Sequence, residues 1–234
     1  MAESGRRKPA TKAAPKAPPA LTLSAGQSVE AGDGITLAFA TPILRLALPG
    51  AEFLNRGLAR RILEAQKKDK GRIVSNRGGW QSDGNIFDWE MPELRVLAQA
   101  IELGHASLRR TLTAERKAPA GALRLDGWAN VNRDGDWNRT HSHAGAHWSG
   151  VYYVDAGQPD PAVQPNGVLE LIDPRHLGGA VPAPGFPLGH RLVVEPEPGL
   201  LVMFPSWLEH WVTPYRGTGQ RISVAFNAIT TAPA

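Results

Sequence analysis

The chain changes its hydrophobic rhythm near residue 119, and that change divides it into two kinds of element. Before it, apolar side chains recur at helical spacing. Leu54, Leu58, Ile62 and Ala65 follow steps of four and three over residues 51–66, which predicts an amphipathic helix. A second helix is predicted behind Pro92, with Leu94, Leu97, Ile101, Leu108 and Leu112 on one face and Gly104 as its weakest position. After Pro119 the apolar residues alternate or run on in short blocks, at 122–132, 148–154, 167–172, 191–195, 200–204 and 221–229. Turn signals separate them, among them Arg133-Asp134-Gly135-Asp136, Asp155-Ala156-Gly157 and Glu197-Pro198-Gly199. Two helices followed by many short strands predict an α+β, mainly β domain, a sandwich or barrel with helices laid over one sheet. A further strand-like entry is expected over Ile35–Leu48, stopped by Pro49-Gly50.

The domain is expected to occupy 35–234. Residues 1–25 alternate Ala, Pro and Lys, which predicts a disordered basic tail. Composition changes this picture little. The net charge of +4 on 234 residues is matched by residues 1–20 alone, which hold five basic residues against Glu3. The rest sums to near neutrality, so nucleic acid is not an expected partner beyond the tail. No apolar run approaches a membrane span, and the N-terminus lacks the apolar stretch of a secretory signal. Cysteine is absent, which removes disulfides and thiolate metal sites and fits a cytoplasmic setting.

The chemistry lies in the histidines. His141 and His143 are two apart, so an extended strand presents both imidazoles on one face, with Ser142 opposite. His147 follows as a possible local donor. His210 comes after the apolar block 199–204 and Pro205-Ser206-Trp207. Neutral imidazole is the commonest side-chain metal ligand, and strand ends can bring the three together. In Arg221-Ile222-Ser223, Arg221 and Ser223 share a face and suit the two oxygens of one carboxylate. A redox metal beside a carboxylate clamp predicts an oxygenase fed by a keto acid. Asn132, Tyr152, Ser149 and Asn227 are further polar candidates near these segments. Arg175 can meet an anion or pair with Asp173. Trp80, Trp137, Trp148, Trp207 and Trp211 fall in the same regions, mostly as core packing.

The motifs taken together resemble a known family. They are His141-x-His143, Ser149-Gly150-Val151-Tyr152-Tyr153-Val154, Asp173-Pro174-Arg175, Phe204-Pro205-Ser206-Trp207-Leu208-x-His210 and Arg221-Ile222-Ser223-Val224-x-Phe226-Asn227, with Gly79-Trp80-Gln81-Ser82 upstream. They resemble the 2-oxoglutarate/iron(II)-dependent oxygenases of bacteria and phages, related in fold to prolyl hydroxylases, over about Thr41 to Asn227. The resemblance implies a double-stranded β-helix (jelly roll) with the metal between two sheets. It implies Fe(II) on His141, His143 and His210, and 2-oxoglutarate held by Arg221 and Ser223, with Tyr152 and Asn132 beside it. His147, Ser149, Asn227 and Arg175 would stand around this site. It also implies hydroxylation of a small molecule or peptide, with decarboxylation of 2-oxoglutarate to succinate and no catalytic side chains beyond the metal ligands. One feature departs from the pattern: His143 stands where the usual triad of two histidines and a carboxylate has Asp or Glu. Three neutral ligands leave the metal more positive. Cupin-like dioxygenases or isomerases without a keto acid, and a non-catalytic metal-binding jelly roll, are the alternative readings.

Overall fold

The computed structural model describes residues 21–22, 28–29, 40–112, 121–175 and 191–231. The expected tail, the start of the entry strand at 35–39, and His176 and His190 lie outside the described residues, apart from two short strands. These strands, Leu21–Thr22 (β1) and Ser28–Val29 (β2), pair antiparallel within a unit spanning Met1–Ala40. Everything that follows belongs to the second unit, Thr41–Ala234.

Its chain order is β3 (Leu44–Ala47), α1 (Glu52–Lys68), β4 (Asn76–Arg77), β5 (Trp80–Gln81), α2 (Pro92–Leu112), β6 (Leu123–Asn132), β7 (Trp137–His141), β8 (Trp148–Pro159), β9 (Leu169–Ile172), β10 (Arg191–Val194), β11 (Leu200–Pro205), β12 (His210–Val212) and β13 (Gly217–Thr230). Two antiparallel sheets result. The larger runs β3-β11-β8-β13-β6-β5 and the smaller β10-β9-β12-β7-β4.

The parity of each strand decides what reaches the space between them. In β11, Leu201 and Met203 pack towards the helices, while Leu200, Val202 and Phe204 pack between the sheets. This strand is buried on both faces, which explains its unbroken apolar run. In β8, Tyr152 and Val154 face the helices and Val151 and Tyr153 face inward. In β13, Ile222, Val224 and Phe226 go to the helix side, leaving Arg221, Ser223 and Ala225 to line the inter-sheet space.

The helices cover the large sheet with the faces their periodicity predicts. Leu58 and Ile62 of α1, and Leu94, Leu97, Ile101 and Leu108 of α2, are buried in that core. Gly104, the weak position of the pattern, is buried where a Cβ would lie 2.7 Å from Leu44 Cδ2 and 3.1 Å from Met203 Sδ. A glycine there lets α2 approach β3 and β11 closely. No helix among the described residues is long and apolar enough to cross a membrane.

This parity corrects one expectation. Tyr152 does not reach the inter-sheet space; its hydroxyl donates to Asn55 Oδ1 of α1 at 2.6 Å. Tyr152→Phe should therefore cost about 1 kcal/mol of folding free energy by denaturant titration, with no change in cofactor affinity. A loss of cofactor binding without loss of stability would contradict this placement.

Candidate functional site

Three imidazoles converge at one end of the inter-sheet space, each delivered by a different local device. His141 is the last residue of β7 and His210 the first of β12, and the two are direct partners across the ladder. Their rings are 4.4 Å apart, centre to centre. His143 lies beyond β7, so strand alternation does not place it. Its backbone N–H donates to Ser206 O at 2.9 Å, while Ser206 N–H donates to His147 O at 3.1 Å. The Ser206 hydroxyl donates to Ala146 O. The turn of the Phe-Pro-Ser-Trp motif thus clamps the 143–147 loop and aims His143 back at His210.

The ring hydrogen bonds fix which nitrogens are free. A carbonyl can only accept, so Nδ1 of His141 donates to Arg139 O at 2.7 Å and Nδ1 of His210 donates to Leu208 O at 2.9 Å. Each neutral ring then keeps its lone pair on Nε2. His143 Nε2 faces His210 Nε2 at 3.3 Å, and the three donor atoms lie within 4.8 Å of one another. No bond among the described residues fixes the His143 tautomer, so in the neutral metal-free protein its Nε2–H can donate to His210 Nε2. In the other tautomer three lone pairs face one another and suit a cation. Protonation is disfavoured. Burial, helped by the mutual repulsion of the rings, depresses His143 to about 4 and His210 to about 3, and burial also lowers His141. A divalent metal fits this donor set. No carboxylate among the described residues joins the cluster.

Arg221 lines the same pocket as the imidazoles. It is 2% exposed, and its Nε donates to Gly167 O at 3.0 Å. Its guanidinium lies 5.2 Å from the centre of the Tyr153 ring. Among the described residues it forms no ion pair with any carboxylate. A buried cation without a counter-charge is costly, and burial pulls its pKa down. Beside it, the buried Tyr153 hydroxyl interacts with the Arg221 guanidinium but makes no well-aligned hydrogen bond. One anionic ligand would satisfy both groups.

The pocket that the imidazoles and Arg221 share is open to solvent. Val151, Leu169, Phe204 and Val212 wall it with apolar surface, and no Asp or Glu among the described residues lines it. Trp128 stands at the metal end, 5.6 Å from the His143 ring. Asn130, paired in register with Ser223, is 8% exposed and lines the pocket.

The sequence candidates separate cleanly. His141, His143, His210, Arg221, Ser223 and Ser149 all line the pocket. Asn227 holds Ser149, whose hydroxyl donates to its Oδ1 at 2.8 Å. Asn132 lies one pleat beyond Asn130, outside the pocket wall, with its Oδ1 buried and unpartnered. His147 is exposed on the far side of the loop and accepts from Thr230 N–H at 3.0 Å. Arg175 is exposed and paired to Asp173. Neither reaches the pocket. Tyr153, Trp128, Asn138 and Ser75 were not anticipated; Asn130 was legible from the sequence as sharing a strand face with Asn132. The signal for Tyr153 was present, because Ser149 and Tyr153 share a parity along β8 and Tyr152 does not.

Comparison with known proteins bears on the same residues. Residues 126–227, which contain every ligand candidate above, match the family described as "Putative 2OG-Fe(II) oxygenase". Over those residues the chain is similar to the 2OG-Fe(II) oxygenases. Its fold is shared with a Pseudomonas putida prolyl-4-hydroxylase, at TM-score 0.57 and 18% identity over 81% of this chain and 93% of that one. It is shared also with a Trichoplax adhaerens prolyl hydroxylase in complex with a hypoxia inducible factor peptide fragment, at TM-score 0.54 and 13% identity over 80% and 83%. HygX from Streptomyces hygroscopicus, solved with nickel, 2-oxoglutarate and hygromycin B bound, aligns at TM-score 0.52 and 14% identity over 82% and 84%. No protein with a curated description matches the chain in sequence. Fe(II) and 2-oxoglutarate are the oxygenases' cofactors, and the three imidazoles and the uncompensated Arg221 fit them.

The Tyr153 hydroxyl makes a separable prediction. Tyr153→Phe removes a buried polar atom that makes no well-aligned hydrogen bond, so the cofactor-free protein should lose little or no stability. Its affinity for 2-oxoglutarate should fall, by about 1–2 kcal/mol for a hydrogen bond to a charged group. Thermal unfolding and 2-oxoglutarate binding on the same sample distinguish this from a structural role, which would lower both.

Proposed function

We infer that His141, His143 and His210 hold Fe(II) through their Nε2 atoms, and that Arg221, Ser223 and Tyr153 hold the distal carboxylate of 2-oxoglutarate. Bound there, the two cofactors supply dioxygen-driven hydroxylation of a C–H bond, with 2-oxoglutarate leaving as succinate and carbon dioxide. The chain's own part is positional. Arg221 fixes the far end of the keto acid so that its other end points at the imidazoles. The Ser206 clamp keeps His143 in place, and the apolar walls limit water around the reacting centre. The observation that carries this reading is Arg221, a wholly buried cation with no carboxylate partner among the described residues, lining the same pocket as three imidazoles whose nitrogens lie within 4.8 Å of one another.

The lack of acidic lining among the described residues gives the cofactor dianion a favourable site and offers nothing to a cationic substrate. The hydroxylated molecule is a neutral or anionic small molecule or peptide. The absence of cysteine fits a reducing, cytoplasmic setting. Without substrate, Fe(II)-loaded protein given oxygen should still turn 2-oxoglutarate slowly into succinate, and His141→Ala should not. Equal succinate from both proteins would sink the ligand assignment.

A further inference from the structure

We propose that the exposed face of α1 and the segment that follows it bind single-stranded nucleic acid. The near-neutral charge of the folded part conceals a segregation. Residues 52–77 hold eight Lys and Arg against three acidic residues, so the rest of the chain beyond the tail is net acidic. Seven of the eight cations, Arg56, Arg60, Arg61, Lys67, Lys68, Lys70 and Arg72, are exposed. Among the described residues only Arg72 makes an ion pair, with Asp83 at 3.4 Å. Phe53, Arg56, Arg60 and Lys67 fall along one outward line of the helix, interrupted by Glu64; Arg56 and Lys67 are about 16 Å apart along the axis. Unpaired cations in such a row are stabilised by a polyanion.

The aromatic groups beside these cations, exposed Phe53 in the row and partly buried Trp89 next to it, favour nucleic acid. Arg56 lies 6.0 Å from the centre of the Phe53 ring, and Arg61 lies 5.1 Å from that of Trp89. Phe53 is 72% exposed. Alternating guanidinium and ring faces offer stacking to unpaired bases while the cations meet phosphates. An acidic peptide would leave the rings unused. Exposed apolar side chains on this surface are few, Phe53 on α1 and Ile73 and Val74 after it, and an anionic membrane is the reading that the vesicle arm of the test separates. A duplex keeps its bases out of reach of these rings.

The row also leads to the pocket. Past α1, Trp80 Nε1 donates to Asp69 O at 3.0 Å and Arg72 N–H donates to Gln81 O at 2.9 Å, carrying the chain past β5 at the edge of the large sheet. Arg139 N–H then donates to Ser75 O at 2.9 Å, and Ser75 lines the pocket. A strand bound along the row therefore runs towards the site's mouth. The binding itself is independent of iron and 2-oxoglutarate, so it can fail or succeed apart from the oxygenase reading.

The test is fluorescence anisotropy of a labelled single-stranded oligonucleotide with the full chain, metal-free, across a salt series. Wild type should bind, more weakly as salt rises. The triple change Arg56→Glu, Arg60→Glu, Lys67→Glu should lose about tenfold or more in affinity, and the slope against salt should fall by about two. The Gln version of the triple change guards against misfolding, and both need wild-type circular dichroism and melting. No binding by wild type overturns the proposal. So does unchanged binding by a folded triple variant, which would assign the affinity to the N-terminal tail. Binding of polyglutamate or phosphatidylserine vesicles, but not the oligonucleotide, with the same dependence on the triple change would also overturn it, in favour of an acidic partner or a membrane.

Discussion

Replacing His210 with alanine leaves the protein unable to retain Fe(II). His210 is the most buried of the three imidazoles, fixed by its donation to Leu208 O and by its pairing with His141 across β12 and β7. The three ring centres stand 4.4, 5.0 and 5.1 Å apart, so losing one opens the triangle proposed for the metal. No carboxylate among the described residues joins the cluster to compensate for a missing imidazole. The expected result is a drop from one iron per chain to none after desalting, measured by elemental analysis. His147→Ala, four residues beyond His143 and exposed, should retain the full stoichiometry. Metal retained by His210→Ala would break the assignment.

Arg221→Met should leave the metal in place and cost about 2–5 kcal/mol of 2-oxoglutarate affinity, roughly 30-fold to several thousand-fold in Kd. Methionine fills much of the space without leaving a charge behind. The stability change separates this from general damage. Removing a buried cation that has no counter-charge should leave the cofactor-free protein as stable as wild type or more so, offset by the lost hydrogen bond to Gly167 O. A variant that melts much earlier and binds 2-oxoglutarate normally would make Arg221 a structural residue.

Much of this architecture can be read from the chain because burial and period agree. The α2 face from Leu94 to Leu108 and the doubly buried β11 both announce themselves, and Arg221 and Ser223 share a strand face that the sheet preserves. The site was legible where a motif is extended or strand-terminal, as with His141 and His210. It was less so where non-local clamping decides. His143 is held by Ser206, more than sixty residues away, and nothing in His-x-His reveals that. Tyr152 and Tyr153 differ by one position and hence by a whole sheet face, so an adjacent-residue error sends the candidate to the helices. Trp128 was hidden for another reason. Its importance comes from lying across from Ala225 in β13, a register that a single strand does not display. The cationic row on α1 was masked in the same manner, since a sum over the folded chain erases its distribution.

The central claim is that the three imidazoles and Arg221 are the two ends of one keto-acid site. Anaerobic titration of Fe(II)-loaded protein with 2-oxoglutarate, following the visible charge-transfer band of the chelate, tests it most directly when wild type and Arg221→Met are compared, with pyruvate alongside as a keto acid lacking the distal carboxylate. The account predicts a band in wild type that saturates readily with 2-oxoglutarate, needs far more of it in the variant, and responds to pyruvate equally poorly in both. No band with iron bound, or the same 2-oxoglutarate titration in both proteins, would contradict it.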